Sequence, residues 1–409
     1  MRLPIGKLPI GKRKIGKRVQ EVYVDNPFTV ERAVRGERLV NRVEELTKVK
    51  NTLRRAGKLF VIGPRRFGKT SILQTAVDQL REEGLDLLLF NIEGYTSIES
   101  LIRAILAETA GLSGNLKQAT TTVRKFFSKL NPSISYNPVE GTFEASLGIK
   151  SPEPEEQAPL LVETLNNLEK MAASSRKKIG IVLDEFQQLL QLGGPAIEAQ
   201  LRAAIQMHES AGYVFAGSQT TLLADMVNNP SRPFYRLGEP LFLKEVPFAD
   251  FLVFLRQGFQ LLKCRGDDET FAHLYKLADG VPYHVQLLAG NCWDEIHRNP
   301  KKMLTREDVD AAQRRLVQIF APYHAPLWAG LTPNQQRALA LVAREPNGGL
   351  MSKAILKRLD MTPGTMHKAL AALESRSIIR REYEKTAAIY RFEDPLFKAW
   401  ILSSITPGL

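Results

Sequence analysis

The sequence predicts an α/β fold: a P-loop NTPase parallel sheet, then an all-helical segment, then a small α+β winged-helix domain. Three observations carry this. Gly63-Pro64-Arg65-Arg66-Phe67-Gly68-Lys69-Thr70 is a complete GxxxxGK[ST] loop between an apolar run, Leu59–Ile62, and the helix-forming stretch Ser71–Val77. Apolar runs of strand length alternate with amphipathic stretches of helix length from about residue 37 to 243, as in a parallel sheet. Residues 331–409 read as three helices followed by two short alternating runs.

In chain order, residues 1–18 hold a five-residue repeat (Ile5-Gly6-Lys7, Ile10-Gly11-Lys12, Ile15-Gly16-Lys17) that can build no core and reads as a disordered basic tail. It either adds phosphate contacts to DNA or is non-functional low-complexity sequence. Glu37–Ala56 is amphipathic through Leu39, Val40, Val43, Leu46, Val49 and Leu53, a helix leading into the loop's strand. Leu85–Ile92 is a second buried strand, followed by a helix at about 97–110. Residues 111–157 are rich in Gly, Ser, Asn and Pro. The alternating stretches 133–136 and 142–149 flank Asn137–Gly141, which predicts a projecting β-hairpin. A helix at 158–173 precedes the strand Lys178–Leu183, and Tyr213–Gly217 and Pro240–Leu243 are further strands. From 247 to 320 the pattern is helical: Phe248–Leu262, Thr270–Leu277, Val281–His297 and Thr305–Phe320, the last opened by a capping-box-like Thr305…Asp308. Thr332–Arg344, Ser352–Leu359, a turn at 360–364 and Thr365–Arg376 form a helix-turn-helix, and Ile378–Arg381 with Ala387–Phe392 form a wing. The expected organisation is a tail at 1–18, a core at 19–244 with the hairpin insertion at about 111–157, a helical domain at 245–330 and a winged helix at 331–409.

The chemistry concentrates at the ends of the predicted strands. Backbone N–H groups of Gly63, Pro64–Phe67, Gly68 and the first helical turn through Ser71 cradle polyphosphate oxygens, proline lacking the donor. Lys69 reaches the β- and γ-phosphates, and the Thr70 hydroxyl sits on Mg²⁺. The strand 178–183 ends in Asp184, placed to hold Mg²⁺, and Glu185, placed to polarise the attacking water. Ser218, at the end of the next strand, can touch the γ-phosphate or that water. Arg232 and Arg236 fit an arginine finger, in cis or toward a neighbouring subunit, and fit surface salt-bridging arginines equally. No [NT]KxD guanine-reading motif is present, which favours ATP over GTP, and the six histidines show no HExxH or paired metal spacing.

At 409 residues and 44% apolar composition the chain should hold two or three globular domains. No apolar run approaches the ~20 residues of a membrane span, and the N-terminus has no apolar signal core. Cys264 and Cys292 form no metal cluster, so a reducing cytoplasm is expected. The net charge of +12 lies at the ends: residues 1–18 carry +7 and 331–409 carry +5, which leaves 19–330 neutral. Such a split points to polyanion contact, most plausibly double-stranded DNA. Thr362, Thr365, His367 and Lys368 lie on the leading face of the third helix of the terminal domain, and Arg376, Arg380, Arg381 and Lys385 are placed to grip phosphates. Winged helices also dock proteins, so the alternative is a protein-binding module.

Four stretches resemble the archaeal-type P-loop ATPases of the STAND group within the AAA+ superfamily: Val34–Leu46, Gly63–Leu73, Leu183-Asp184-Glu185-Phe186-Gln187 and Ala278-Asp279-Gly280-Val281-Pro282. The ending Phe392–Trp400 resembles the tail of the same ATPases. The resemblance implies a helical lid, an adenine site lined by Val40 and Arg42, and a lid contact from Pro282. Asn41 stands where glycine is usual, and Tyr283 and His284 stand where relatives place an arginine sensor. His284 is then either a packed lid residue or a phosphate sensor. Leu112-Ser113-Gly114 superficially matches the ABC-transporter signature but lies too far from Asp184 for that family. The expected protein is a Mg-ATP-dependent switch with slow hydrolysis whose winged helix binds DNA. A homo-oligomer and a protein partner at the 131–149 hairpin are further expectations. The alternative is an ATP-driven oligomerising scaffold that binds protein and hydrolyses little.

Overall fold

The computed structural model describes residues 25–28, 39–113, 115–148, 154–194, 196–218, 220–345, 349–384 and 387–405. The basic tail, Val34–Arg38, Gly114, Gln219 and Lys385 lie outside them. The chain divides into two compact units. One comprises 42–63 and 68–244, and the described residues of the other fall in 25–41, 64–67 and 245–405.

The first unit runs α1 (Val43–Arg54), β1 (Lys58–Ile62), α2 (Lys69–Glu82), β2 (Asp86–Asn91), α3 (Ile98–Gly111), α4 (Leu116–Phe126), β3 (Pro132–Asn137), β4 (Thr142–Leu147) and α5 (Pro154–Ser175). It continues through β5 (Ile179–Asp184), α6 (Gln187–Gly193), α7 (Ala196–Ile205), β6 (Ala211–Gly217), α8 (Thr220–Asn228) and β7 (Glu239–Phe242). Its main sheet has the order β2-β5-β6-β1-β7, and every neighbouring pair is parallel. Helices cover both faces, so β5 and β6 are buried at every position. That is why they read as unbroken apolar runs. Phe60 of β1 stacks on Phe215 of β6 with ring centroids 4.8 Å apart. Register brings the strand ends level: Asn91 faces Asp184, Leu183 faces Phe215 and Ile62 faces Gly217. The residues that follow β1, β5 and β6 therefore emerge along one edge, where open α/β sheets bind ligands.

Two expectations change here. The 111–157 region is not only a hairpin, because α4 forms within it, capped by the Asn115 side chain on the Gln118 N–H at 2.9 Å. Nor does the hairpin project freely: Ile134, Phe143, Ala145 and Leu147 pack against the core of the unit. The period-2 alternation gives β3 and β4 one apolar face, and α3 and α4 supply the surface that covers it. The other face is open to solvent, Tyr136 included, and Val139 at the tip is 92% exposed. Helices α6 and α7 fill the interval between β5 and β6, which the sequence reading left without elements.

The second unit holds α9 (Phe248–Gln260), α10 (Asp268–Leu277), α11 (Pro282–Arg298), α12 (Arg306–Ala329), α13 (Pro333–Arg344), α14 (Lys353–Leu359), α15 (Pro363–Ser375), β8 (Ile379–Glu384), β9 (Ala387–Phe392) and α16 (Pro395–Trp400). Helix α12 starts at the Thr305–Asp308 capping box and ends at Ala329 rather than Phe320, running through Pro322 and Pro326. One apolar core contains Trp293 and Leu316 together with Leu339, Leu370, Phe397 and Ile401. Segments 245–330 and 331–409 thus share a core instead of forming separate bodies. The shared core is built where α16 meets α12: Phe397 packs on His324 and Trp400 on Trp328.

Candidate nucleotide site

Gly63 follows β1 and passes close to the chain leaving β7. A Cβ there would meet the Leu243 Cβ at 2.9 Å, so only glycine fits. The loop then turns through two left-handed residues, Arg66 (φ +67°) and Gly68 (φ +85°). Gly68 is the N-cap of α2 and offers no side chain to its first-turn N–H groups, and no acid lies in that turn. The positive end of the helix dipole is left for an anion. Lys69 is buried and its Nζ donates to the Gly63 carbonyl at 3.0 Å. The Thr70 hydroxyl donates to Asp184 Oδ2 at 2.7 Å.

Asp184 closes β5 and is 2% exposed. Burial pushes its carboxyl up, while the Thr70 hydrogen bond and the Lys69 charge pull the other way. Glu185 follows in a left-handed conformation (φ +51°), and its N–H donates to Asp184 Oδ1 at 3.0 Å. Its Oε2 accepts from the Ser218 hydroxyl at 2.8 Å and from Gln187 Nε2 at 2.5 Å. Lys69, Thr70, Asp184, Glu185 and Ser218 thus gather at the ends of β1, β5 and β6.

Residues 39–288 match the model of an ATPase domain family predominantly from Archaea. The chain belongs to this family. Among solved structures it is similar to the Walker-type ATPase of Pyrococcus abyssi, with TM-score 0.62 and 18% identity, covering 92% of this chain and 99% of that one. It is also similar to the ORC2 protein of Aeropyrum pernix in ADPNP–ADP complexes, with TM-score 0.51 and 15% identity, covering 88% of this chain and 92% of that one. A search of curated proteins gave no match.

As an archaeal-type ATPase the chain takes ATP with Mg²⁺, and its residues fit that pair. A Cβ on Gly68 would meet nothing within 4 Å, so the space over the helix start is open. The buried Asp184 carboxylate beside the Thr70 hydroxyl is the donor pair a hard cation takes. Among the described residues no cluster of three or more His, Cys, Asp or Glu side chains could hold a metal unaided. Phosphate oxygens and water complete the shell in sites of this kind. When bound beside Thr70 and Asp184, Mg²⁺ would neutralise phosphate charge.

Other expected residues fall in different settings. Asn41 has φ +41°, the conformation that makes glycine usual at its position, and asparagine tolerates it. Arg42 is buried and donates to the Lys244 carbonyl and to Glu45, both at 2.7 Å. It ties the start of α1 to the chain after β7, so its guanidinium is spent on the fold. Val40 packs on the core of the second unit, and Pro282 is the first residue of α11. Arg65 is exposed. Arg232 lies 2.9 Å from Glu198 and 3.6 Å from Asp225, a salt-bridging arginine within its own unit. Arg236 is exposed, over the ring of Tyr235.

In the terminal helices, Thr362 caps α15 by accepting from the Thr365 N–H at 3.1 Å, and His367 and Lys368 are exposed. Arg376 donates to the Gly330 carbonyl at 3.2 Å. Arg380 corrects the surface reading. It is 5% exposed, donates to Glu382 at 2.7 Å and to the Phe392 carbonyl at 3.0 Å, and stands over Phe67. Arg381 pairs with Glu374 at 3.0 Å over the Tyr390 ring. Counting charge along a strand does not reveal which arginines its neighbours consume.

Gln187 carries no role expected from the sequence, yet it is 1% exposed and donates to Glu185. A Cβ on Gly217 would meet its Oε1 at 2.1 Å, so Gly217 makes room for it. Its only sequence signal is its place three residues after Asp184.

His284 is buried, and its Nε2 lies 2.9 Å from Arg66 Nη1. Arginine can only donate, so Nε2 accepts and the imidazole is neutral. Asp394 and His324 are the other titratable groups beside it. Burial pushes its pKa down to about 3; Asp394 opposes this and the Arg66 charge adds to it. Unfolded histidine titrates near 6.5, so the unfolded chain binds the extra proton first as pH falls. Stability from this site is complete above about pH 6.5 and drops by about 1.4 kcal/mol per unit as pH falls to about 3. Urea midpoints of the full chain at pH 7 and 5 should show this loss, and His284→Asn should flatten it. An unchanged slope in the variant would refute the assignment.

Proposed function

We propose that the protein is an ATP-hydrolysing switch of the STAND type within the AAA+ ATPases, whose α13–α15 and β8–β9 elements act as a winged helix on double-stranded DNA. The observation that carries the catalytic half is the Thr70–Asp184 pair beside Glu185, which Ser218 and Gln187 hold. In this reading Asp184 serves Mg²⁺, Glu185 takes the proton of the attacking water, and Ser218 orients Glu185. Exposed His367 and Lys368 on α15, together with the net +5 of residues 331–409, support the DNA half. The Aeropyrum pernix relative is a nucleotide-bound ORC2 protein, a likeness consistent with this use of the fold.

A second reading rests on Arg380 and Arg381. Both are committed to acids inside the unit, which lowers the charge offered to phosphates and favours an oligomerising scaffold. Salt separates the two. DNA affinity built on phosphate contacts falls steeply with salt, and Lys368→Ala should weaken it and reduce the log–log slope by about 1. Fluorescence anisotropy with duplex DNA from 50 to 200 mM salt measures this. No binding at 50 mM, with Mg-ATP present, would leave the scaffold.

A further inference from the structure

We propose that Asp394 is a positioning residue for the phosphate loop, holding Arg66 and so the left-handed apex of the loop in the form that takes the triphosphate. The loop residues 64–67 belong to the same compact unit as residues 245–405. Arg66 has φ +67°, a conformation unfavourable for a non-glycine residue that persists where its surroundings impose it. Those surroundings are explicit. Arg66 Nη1 lies 2.9 Å from Asp394 Oδ2 and 2.9 Å from His284 Nε2. Its guanidinium stands 5.1 Å from the centroid of the Tyr283 ring, and its carbonyl accepts the Tyr283 N–H at 3.4 Å. The next loop residue, Phe67, is buried beneath the guanidinium of Arg380. Backbone, side chain and neighbour of the apex are therefore all held.

Asp394 is fitted to be the anchor. Its Oδ1 caps α16, accepting from the Leu396 N–H at 2.9 Å and the Phe397 N–H at 3.4 Å, so the carboxylate cannot swing. His324 Nε2 stands 3.7 Å from Oδ2. Burial would raise this carboxyl, but His324 and the Arg66 charge outweigh it and keep it ionised throughout the working pH range. With its charge matched by Asp394, Arg66 serves the loop as a strut rather than as a phosphate ligand. The inference rests on ATP binding at the loop.

The test is a double-mutant cycle on the full chain, with Mg-ATP affinity measured by calorimetry for wild type, Asp394→Asn, Arg66→Ala and the pair. Asparagine caps helices as well as aspartate, so Asp394→Asn removes charge and keeps α16. Each single variant should weaken ATP binding by about five- to tenfold, and the pair no further. Coupling of this kind is a readout that two independent structural losses would not give. The sign is diagnostic, because removing a negative charge near a phosphate site would by itself tighten binding. Unchanged or tighter binding in Asp394→Asn, or additive losses in the pair, would overturn the proposal. Should Asp394→Asn fail to fold, Arg66→Lys, at a position 39% exposed, keeps the positive charge but not the guanidinium held by Asp394 and His284; it should weaken binding by the same factor, and unchanged affinity would overturn the proposal. Lys69→Ala is the control: if it too binds ATP normally, the reading of the loop fails rather than the role of Asp394.

Discussion

Glu185→Gln is expected to bind Mg-ATP like the wild type and to turn it over about 10²–10³-fold more slowly. The carboxylate follows Asp184 in a left-handed turn, and two donors, Ser218 and Gln187, converge on its Oε2. The amide preserves size and can still accept through its oxygen, so the loop and Asp184 are undisturbed. What disappears is the base. Single-turnover phosphate release with enzyme in excess isolates the chemical step from product release. Wild-type rates in the variant would remove Glu185 from the mechanism and leave Asp184 as the acid to examine next.

Lys69→Ala is expected to weaken ATP binding by about 100-fold, the scale of one lost hydrogen bond to a charged group. Lys69 is 5% exposed and its Nζ donates to the Gly63 carbonyl within the loop. Alanine also removes the positive charge that counters the buried Asp184 carboxylate, whose Thr70 hydrogen bond remains, so the unliganded melting temperature should fall by a few degrees. Calorimetric titration with Mg-ATP beside a thermal melt of the free protein checks both halves. Normal affinity would mean that the loop does not bind the triphosphate.

The site at the strand ends was legible because each part leaves a local mark. Gly63 and Gly68 are required by a close approach and a positive φ, and Asp184-Glu185 closes a run that is apolar because it is buried on both faces. Period-2 and 3.6-residue patterns placed the strands and most of the helices within a few residues. Helices α4, α6, α7, α8 and α16 are not legible in the sequence. α4 carries only Ala119 and Val123 as buried residues, too few to mark a stripe, and α6 and α7 sit in a stretch read as connection. The end of α12 was misjudged because proline is read as a stop, whereas Pro322 and Pro326 are accommodated within the helix.

Sequence alone determined the ligand class, the metal, the order of the strands and of most of the longer helices, and the uneven charge. All of these depend on neighbours along the chain or on totals over it. Tertiary structure decided which charged groups remain available. Arg42, Arg380 and Arg381 look available as letters and Arg232 fits a finger or a salt bridge equally; each meets an acceptor or acid brought to it by folding. It likewise decided that Arg66 of the loop meets Asp394, more than three hundred residues later in the chain. An ion pair is a short-range fact about space, and a sequence carries no record of which distant residues will share it.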